Sequence, residues 1–237
     1  MTTHAPAPSI DAHVGLSDRA TATLVGLLYL VGTAAGTGSL AATGGGLEGP
    51  DYLASADEAG AGLAVGALLV LLMGLALALI PVVAFPVLRR VSERLAVGFV
   101  VFRGALEGTW YVVTAMTWLA LFRLAADGAA QGDAGNVLFT AGETGGILQS
   151  LVFVCGATMF YVLLIRGRLV PRLLAWWGLI GAIPYALVAI LGLLDVLDVL
   201  SSTAVGLQMP LALQEIVLAV WLIARGFSRA ERQVEPA

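Results

Sequence analysis

The sequence predicts an all-α polytopic membrane protein, a bundle of six transmembrane helices. Hydrophobic residues make up 59% of the 237 residues and charged residues only 12%, whereas soluble domains carry roughly 25% charged residues. The mean hydropathy is +0.94. Six apolar runs are each long enough to cross a bilayer, which takes about 20 helical residues. The predicted spans are residues 20–42, 61–88, 95–124, 137–165, 173–194 and 203–224.

The first span follows a polar segment, residues 1–19, with no apolar core next to basic residues. We interpret this segment as a tail and not as a cleavable signal peptide. Gly32 and Gly36 share one side of the first span, a spacing that lets another helix approach closely. An acidic loop over residues 44–59 leads to the second span. The chain therefore divides into a polar N-terminal tail (1–19), a transmembrane domain (20–226) and a polar C-terminal tail (227–237).

The third span is the element around which we expect the bundle to be organised. Arg103 and Glu107 lie well inside it, and residues four apart share one helix face. An ionisable side chain at mid-membrane depth costs at least about 2.5–3.5 kcal/mol on insertion scales, so it usually faces the bundle interior and has a partner. The pair therefore predicts a polar core inside the membrane.

The fourth span carries a carboxylate in its first third, Glu143, embedded in the sequence AGETGG. The surrounding glycines indicate close packing of a neighbouring helix or, alternatively, a locally unwound turn that lines a cavity. Cys155, the only cysteine, excludes an intramolecular disulfide. Because it sits in an apolar run, we expect it to be a packed thiol.

The fifth span starts with Trp176 and Trp177, where the aromatic belt of a membrane protein is expected. With six spans, 10 of the 12 arginines fall on one side of the membrane, and the opposite loops are acidic. By the positive-inside rule, both termini are then cytoplasmic. We expect a multi-pass protein of the cell membrane.

The rise per residue of a helix also allows the depths of the buried polar residues in the membrane to be compared. At a rise of about 1.5 Å per residue, Arg103 on the third span is level with Glu215 on the sixth, and Gln149 falls near the same layer. The same arithmetic places Glu143 near Glu107. One guanidinium cannot neutralise three carboxylates, so we expect Glu143 to be protonated near neutral pH unless a cation occupies the site.

These residues define a candidate ligand- or proton-binding cluster. Its members are Arg103, Glu107, Glu143, Gln149 and Glu215. The only histidines, His4 and His13, lie in the N-terminal tail, which removes most haem and metal chemistry from the spans. We therefore predict no cofactor and no metal, and the acidic balance gives no indication of nucleic-acid binding.

Three functions fit this cluster. The first is binding of a small ligand or ion, with proton-coupled transport as its extension; a chain this short would then act as a homo-oligomer. The alternative is a non-catalytic membrane scaffold or sensor whose cluster is structural. An intramembrane enzyme is least favoured, because no span contains histidine or a paired serine and lysine, although carboxylate chemistry on a lipid headgroup stays open.

Four motifs resemble a known family. They are FPVLRR before the third span, FRGALEG (residues 102–108), RLVPRLLAWWGLIG (residues 168–181) and LALQEIVLAVWLIARGF (residues 211–227). Together they resemble the bacterial and archaeal membrane proteins grouped as domain of unknown function family 4386. The resemblance covers nearly the whole chain beyond the N-terminal tail. It implies a six-span, all-helical fold and supplies no established activity.

Overall fold

The computed structural model describes residues 16–43, 60–126, 133–199 and 201–228. Most of the two predicted tails and the acidic loop 44–59 lie outside these residues. Within the described ranges all regular structure is helical, and six helices are long and apolar enough to cross a membrane. They are α1 (Asp18–Ala42), α2 (Ala61–Leu88), α3 (Glu93–Ala126), α4 (Asp133–Arg166), α5 (Arg172–Leu193) and α6 (Ser202–Arg225). The predicted fold class and span count are confirmed.

Several helices extend beyond the predicted apolar runs because polar residues cap their ends. The Ser17 side chain accepts a hydrogen bond from the Ala20 backbone N–H, and Asp18 stands in the first turn of α1, where a negative charge is favourable. Ser201 caps α6 in the same way through the Ala204 N–H. Helix α4 begins at Asp133, four residues before the predicted start at Val137.

The helices form a ring in chain order. Each one packs mainly against its neighbours along the sequence, and α6 returns to pack against α1. Helices α3 and α6 therefore lie opposite each other across the centre. This arrangement encloses an interior space to which every helix can contribute a side chain.

The first and last helices meet at one end of the ring. Arg19 at the start of α1 donates hydrogen bonds to the carbonyl oxygens of Ile223 (2.6 Å) and Ala224 (3.2 Å) at the end of α6. Arg90, in the turn between α2 and α3, pairs with Asp18 at 2.8 Å. We call this the basic end of the bundle, and the opposite one the acidic end.

Helix α3 is not a regular α-helix throughout. Residues Val100–Leu106 form a π-helical segment between the α-helical parts Glu93–Phe99 and Glu107–Ala126. Such segments are rare and occur frequently at functional sites. The segment contains Arg103, so the backbone irregularity and the intramembrane charge coincide.

One expectation about packing was wrong. Cys155 is exposed on α4 and not buried, because its neighbours Phe153 and Gly156 occupy the face of the helix that turns inward. In a helix that crosses a bilayer, lipid satisfies the outward apolar face as well as protein does.

Candidate functional site

A cavity of about 210 Å³ lies at the centre of the ring. Side chains from all six helices line it. The charged lining residues are Arg103, Glu107 and Glu215, and the uncharged polar ones include Tyr111, Gln149, Ser150 and Tyr185. The polar core that the third span predicts therefore surrounds a cavity between the helices.

Arg103 is held in place from several sides and is only 3% exposed. Its guanidinium carbon lies 4.6 Å from the centre of the Phe153 ring and 5.9 Å from that of Tyr29, distances at which a cation is attracted to an aromatic face. Helix α4 approaches its backbone at Gly156, where an added Cβ would lie 3.1 Å from the Arg103 nitrogen. The guanidinium thus has a fixed position on the cavity wall.

Glu107 is the internal partner of Arg103. Both of its carboxylate oxygens lie 3.1 Å from Arg103 Nη1, and the Tyr111 hydroxyl donates to Oε1 at 3.0 Å. The carboxylate is 1% exposed. Because it has a cationic partner and a hydroxyl donor, Glu107 already has the contacts that a buried carboxylate requires.

Glu215 completes the cluster from the opposite side of the ring. Its Oε1 lies 3.5 Å from Arg103 Nη2, and its side chain is 20% exposed. The predicted match in depth between Arg103 and Glu215 is therefore present in the structure. Glu215 is more accessible and less tightly bonded than Glu107, although both face the same cavity.

The cluster carries an excess of negative charge when both carboxylates are ionised. One guanidinium contributes +1 and two carboxylates contribute −1 each, so the ionised cluster has a formal charge of −1. In addition, Arg103 Nε is buried and has no hydrogen-bond partner among the residues described. The site thus offers one spare donor and a partly accessible carboxylate.

Two other predicted members have different positions. Gln149 lines the cavity, as its depth indicated. Glu143 is exposed and lies outside the cluster. Contacts of Gly142 with Thr117, and of Gly156 with Arg103, make Glu143 level with Met116. Met116 is nine residues, or about 13 Å, beyond Glu107 along α3. Glu143 is therefore too far from Arg103 to be a third carboxylate of the cluster, which was the reason for expecting it to be protonated.

Sequence reasoning missed a second polar contact set between helices. The Tyr161 hydroxyl on α4 donates to Gln214 Oε1 at 2.6 Å, and Gln214 Nε2 donates to the Leu174 carbonyl on α5 at 3.0 Å. Gln214 is fully buried. The sequence did contain a signal for Gln214, because it stands next to Glu215. Two adjacent polar residues on an apolar helix point in different directions and so indicate contacts with two different neighbouring helices. Tyr29 and Tyr111, which surround Arg103, had no such signal.

The described residues contain no group of three or more His, Cys, Asp or Glu side chains placed to hold a metal ion. The chemistry available at the cavity is therefore that of carboxylates, a guanidinium, hydroxyls and an amide. These groups can bind a charged ligand and exchange a proton.

The fold and the cavity define a class, the multi-pass helical membrane proteins with a charged cavity between their spans. A comparison with models of protein families assigns the chain to one family within this class. Residues 24–226 match the family described as Domain of unknown function (DUF4386), and the chain belongs to that family. A search of curated proteins found no match, and a search of solved structures found none either.

Proposed function

We propose that this protein binds a small cation in the central cavity and that Glu215 is the group that receives it. The observation that carries the proposal is the difference between the two carboxylates. Glu107 is bound by Arg103 and Tyr111, whereas Glu215 has one polar contact with the described part of the chain, at 3.5 Å, and remains partly exposed. A cation or a proton at Glu215 would neutralise the remaining negative charge of the cluster, which is otherwise costly at membrane depth.

Proton-coupled transport is the extension of this proposal. In such a cycle Glu215 takes up a proton when the cation leaves and releases it when the cation returns.

The proposal places the protein in the cell membrane with both termini cytoplasmic. The basic end carries the Arg90 and Arg19 contacts, and the positive-inside rule assigns such an end to the cytoplasm. A short chain of this kind would work as a homo-oligomer.

A non-catalytic scaffold or sensor is the second candidate, and one observation favours it. The contact between Arg103 and Glu215 joins helices that do not otherwise neighbour each other in the ring. Polar contacts of this kind hold membrane helices together, at about 0.6 kcal/mol each on average. In that role the cluster would need no ligand.

A matched pair of variants separates the two functions. Glu215→Gln removes the proposed cation-binding charge, and Glu143→Gln removes an exposed carboxylate outside the cluster. Each purified variant in lipid nanodiscs is heated with ethylammonium chloride or with sodium chloride at equal ionic strength. We expect ethylammonium to raise the Tm of the wild type and of Glu143→Gln, and to leave that of Glu215→Gln unchanged.

Two results would contradict cation binding at Glu215. One is an equal ethylammonium response in Glu215→Gln and the wild type. The other is no response in any of the three proteins, together with a large loss of stability in Glu215→Gln alone, which would support the scaffold.

A further inference from the structure

The seam between α1 and α6 is closed toward the basic end. An added Cβ on Gly26 would lie 2.6 Å from the Ala219 carbonyl oxygen, and one on Gly226 would lie 3.0 Å from Arg19 Nη1. The two contacts pair Arg19 with Gly226 and Gly26 with Ala219. They fit one antiparallel register, because a step of seven residues toward the C-terminus on α1 matches a step of seven toward the N-terminus on α6. The next pair in that register is Thr33 and Ala212.

At this next level the corresponding side chains are not buried between the two helices. Thr33 and Ala212 are both exposed, and both line the central cavity. Residues that are exposed and also line an interior cavity mark the place where the cavity reaches the surface. We call this gap, with Thr33 and Ala212 at its edges, the lateral opening.

Each helix is held by its other neighbour beside the lateral opening. On α1, an added Cβ at Gly32 would lie 2.8 Å from Leu77, and one at Gly36 would lie 2.7 Å from Met73, both on α2. On α6, Leu211 packs its backbone against Gly181 of α5, at 3.4 Å from an added Cβ. Close packing at this level therefore joins α1 to α2 and α5 to α6.

The lateral opening connects two different environments. Outward apolar side chains flank it, with Val31 on α1 43% exposed, and Met209 and Leu213 on α6 46% and 49% exposed. Inside, Glu215 lies one helical turn from Ala212, about 4.5 Å along the axis. The carboxylate of the proposed site therefore lies close in height to the lateral opening.

We infer that the ligand is a single-chain amphiphile with an ammonium head, which enters from the bilayer between Thr33 and Ala212. The head binds Glu215, and the alkyl chain remains in the lateral opening. A cavity of about 210 Å³ has room for an ammonium head group, and the alkyl chain continues into the lateral opening. This inference rests on the proposed binding of a cation at Glu215.

The charges of the cluster select against an anionic head. Arg103, the only cation of the cavity lining among the described residues, already contacts both Glu107 and Glu215. A carboxylate head would meet a net negative charge. An ammonium group instead adds the positive charge that the cluster lacks and donates hydrogen bonds to the second oxygen of Glu215.

Equilibrium binding of radiolabelled amines to protein in phosphatidylcholine nanodiscs tests this inference, with empty nanodiscs subtracted. The probes are ethylammonium, dodecylammonium and dodecanoate. The double variant Thr33→Trp/Ala212→Trp fills the lateral opening with two indole rings. The control is Val220→Trp, which adds one indole to an exposed position of α6 beside the closed part of the seam.

We expect dodecylammonium to bind the wild type and Val220→Trp at least about tenfold more tightly than ethylammonium does. The double variant should lose about tenfold or more of its dodecylammonium affinity, whereas Val220→Trp should keep it. In addition, a dodecylamine with a photoreactive group in mid-chain should label residues 29–36 of α1 and 209–216 of α6 in the wild type, which needs no variant to fold.

Three outcomes would overturn the inference. If both amines bind equally and the double variant weakens neither, cation binding at Glu215 stands and entry from the bilayer fails. If dodecanoate binds in place of dodecylammonium, the head-group chemistry is wrong. If neither amine binds the wild type, both the inference and the proposed function fail.

Discussion

Arg103 and Glu215 contact each other across the full width of the helical ring, with Nη2 of one and Oε1 of the other 3.5 Å apart. They are 112 residues apart in the chain and sit on opposite helices. Glu107, one turn from Arg103 on the same helix, binds the same guanidinium more closely. The guanidinium therefore has a local partner and a distant one, and the distant partner is the more exposed of the two.

Removal of the guanidinium should destabilise the protein strongly. Arg103→Met leaves Glu107 buried without its cation, and breaking one side of a buried ion pair costs about 3–5 kcal/mol. We expect a loss of this size in the free energy of unfolding, measured by denaturant titration in mixed micelles. The double variant Arg103→Met/Glu107→Gln should recover part of it, because the fully buried Glu107 charge is then removed together with its partner. If Arg103→Met is as stable as the wild type, leaving Glu107 without its cation has no such cost.

The contact between Tyr161 and Gln214 should be measurable as a coupling between α4 and α6. In a double-mutant cycle with Tyr161→Phe and Gln214→Leu, we expect a coupling of about 1 kcal/mol, within the range known for hydrogen bonds between membrane helices. A second cycle pairs Tyr161→Phe with Gln208→Leu, on the same helix as Gln214. Its expected coupling is zero, and equal couplings in the two cycles would contradict the contact.

Gly156 should tolerate no side chain, because α4 approaches the Arg103 backbone there. In Gly156→Ala the new Cβ meets a backbone nitrogen at 3.1 Å and the Arg103 Cβ at 3.2 Å, and overpacking of this kind costs about 1–3 kcal/mol. The matched control is Gly146→Ala on the same helix, where nothing lies within 4 Å. Thermal unfolding should show a lower Tm for the first variant alone. Equal Tm values would mean that the two helices can separate at no cost.

The predicted topology is open to a direct test. A fluorescent protein fused to the C-terminus should fluoresce, and alkaline phosphatase fused at the same place should be inactive, because the positive-inside rule assigns that end to the cytoplasm. Phosphatase inserted into the segment 127–132, between α3 and α4, should be active. The reverse pattern of activities would invert the bundle in the membrane and leave its internal contacts unchanged.

Some of the candidate site could be predicted from the sequence because it follows from helix geometry alone. The spacing of four residues puts Arg103 and Glu107 on one face whatever surrounds the helix. The rise per residue likewise gives the depth of Glu215 once the ends of α6 are approximately known. Both relationships are present in the structure.

Glu143 shows where such reasoning stops. Its depth was calculated from a helix that started at Val137, but α4 begins at Asp133 and α3 continues to Ala126. With these helix bounds Glu143 lies level with Met116, nearer to the acidic end than its calculated depth. The rotation of α4 about its own axis, which leaves Glu143 exposed, is set by the packing of Gly156 and Phe153 on α3, and no composition rule contains it.

The sequence by itself determined that the chain spans a membrane six times and that one arginine and one glutamate share a buried helix face, because hydropathy and helical periodicity are local properties. Only the tertiary structure decided which distant carboxylate reaches Arg103, that all six helices enclose a cavity, and that exposed residues of α1 and α6 line it. These features depend on the register and rotation of packed helices. Close contacts between residues far apart in the chain, such as Gly26 with Ala219 and Gly156 with Arg103, fix both.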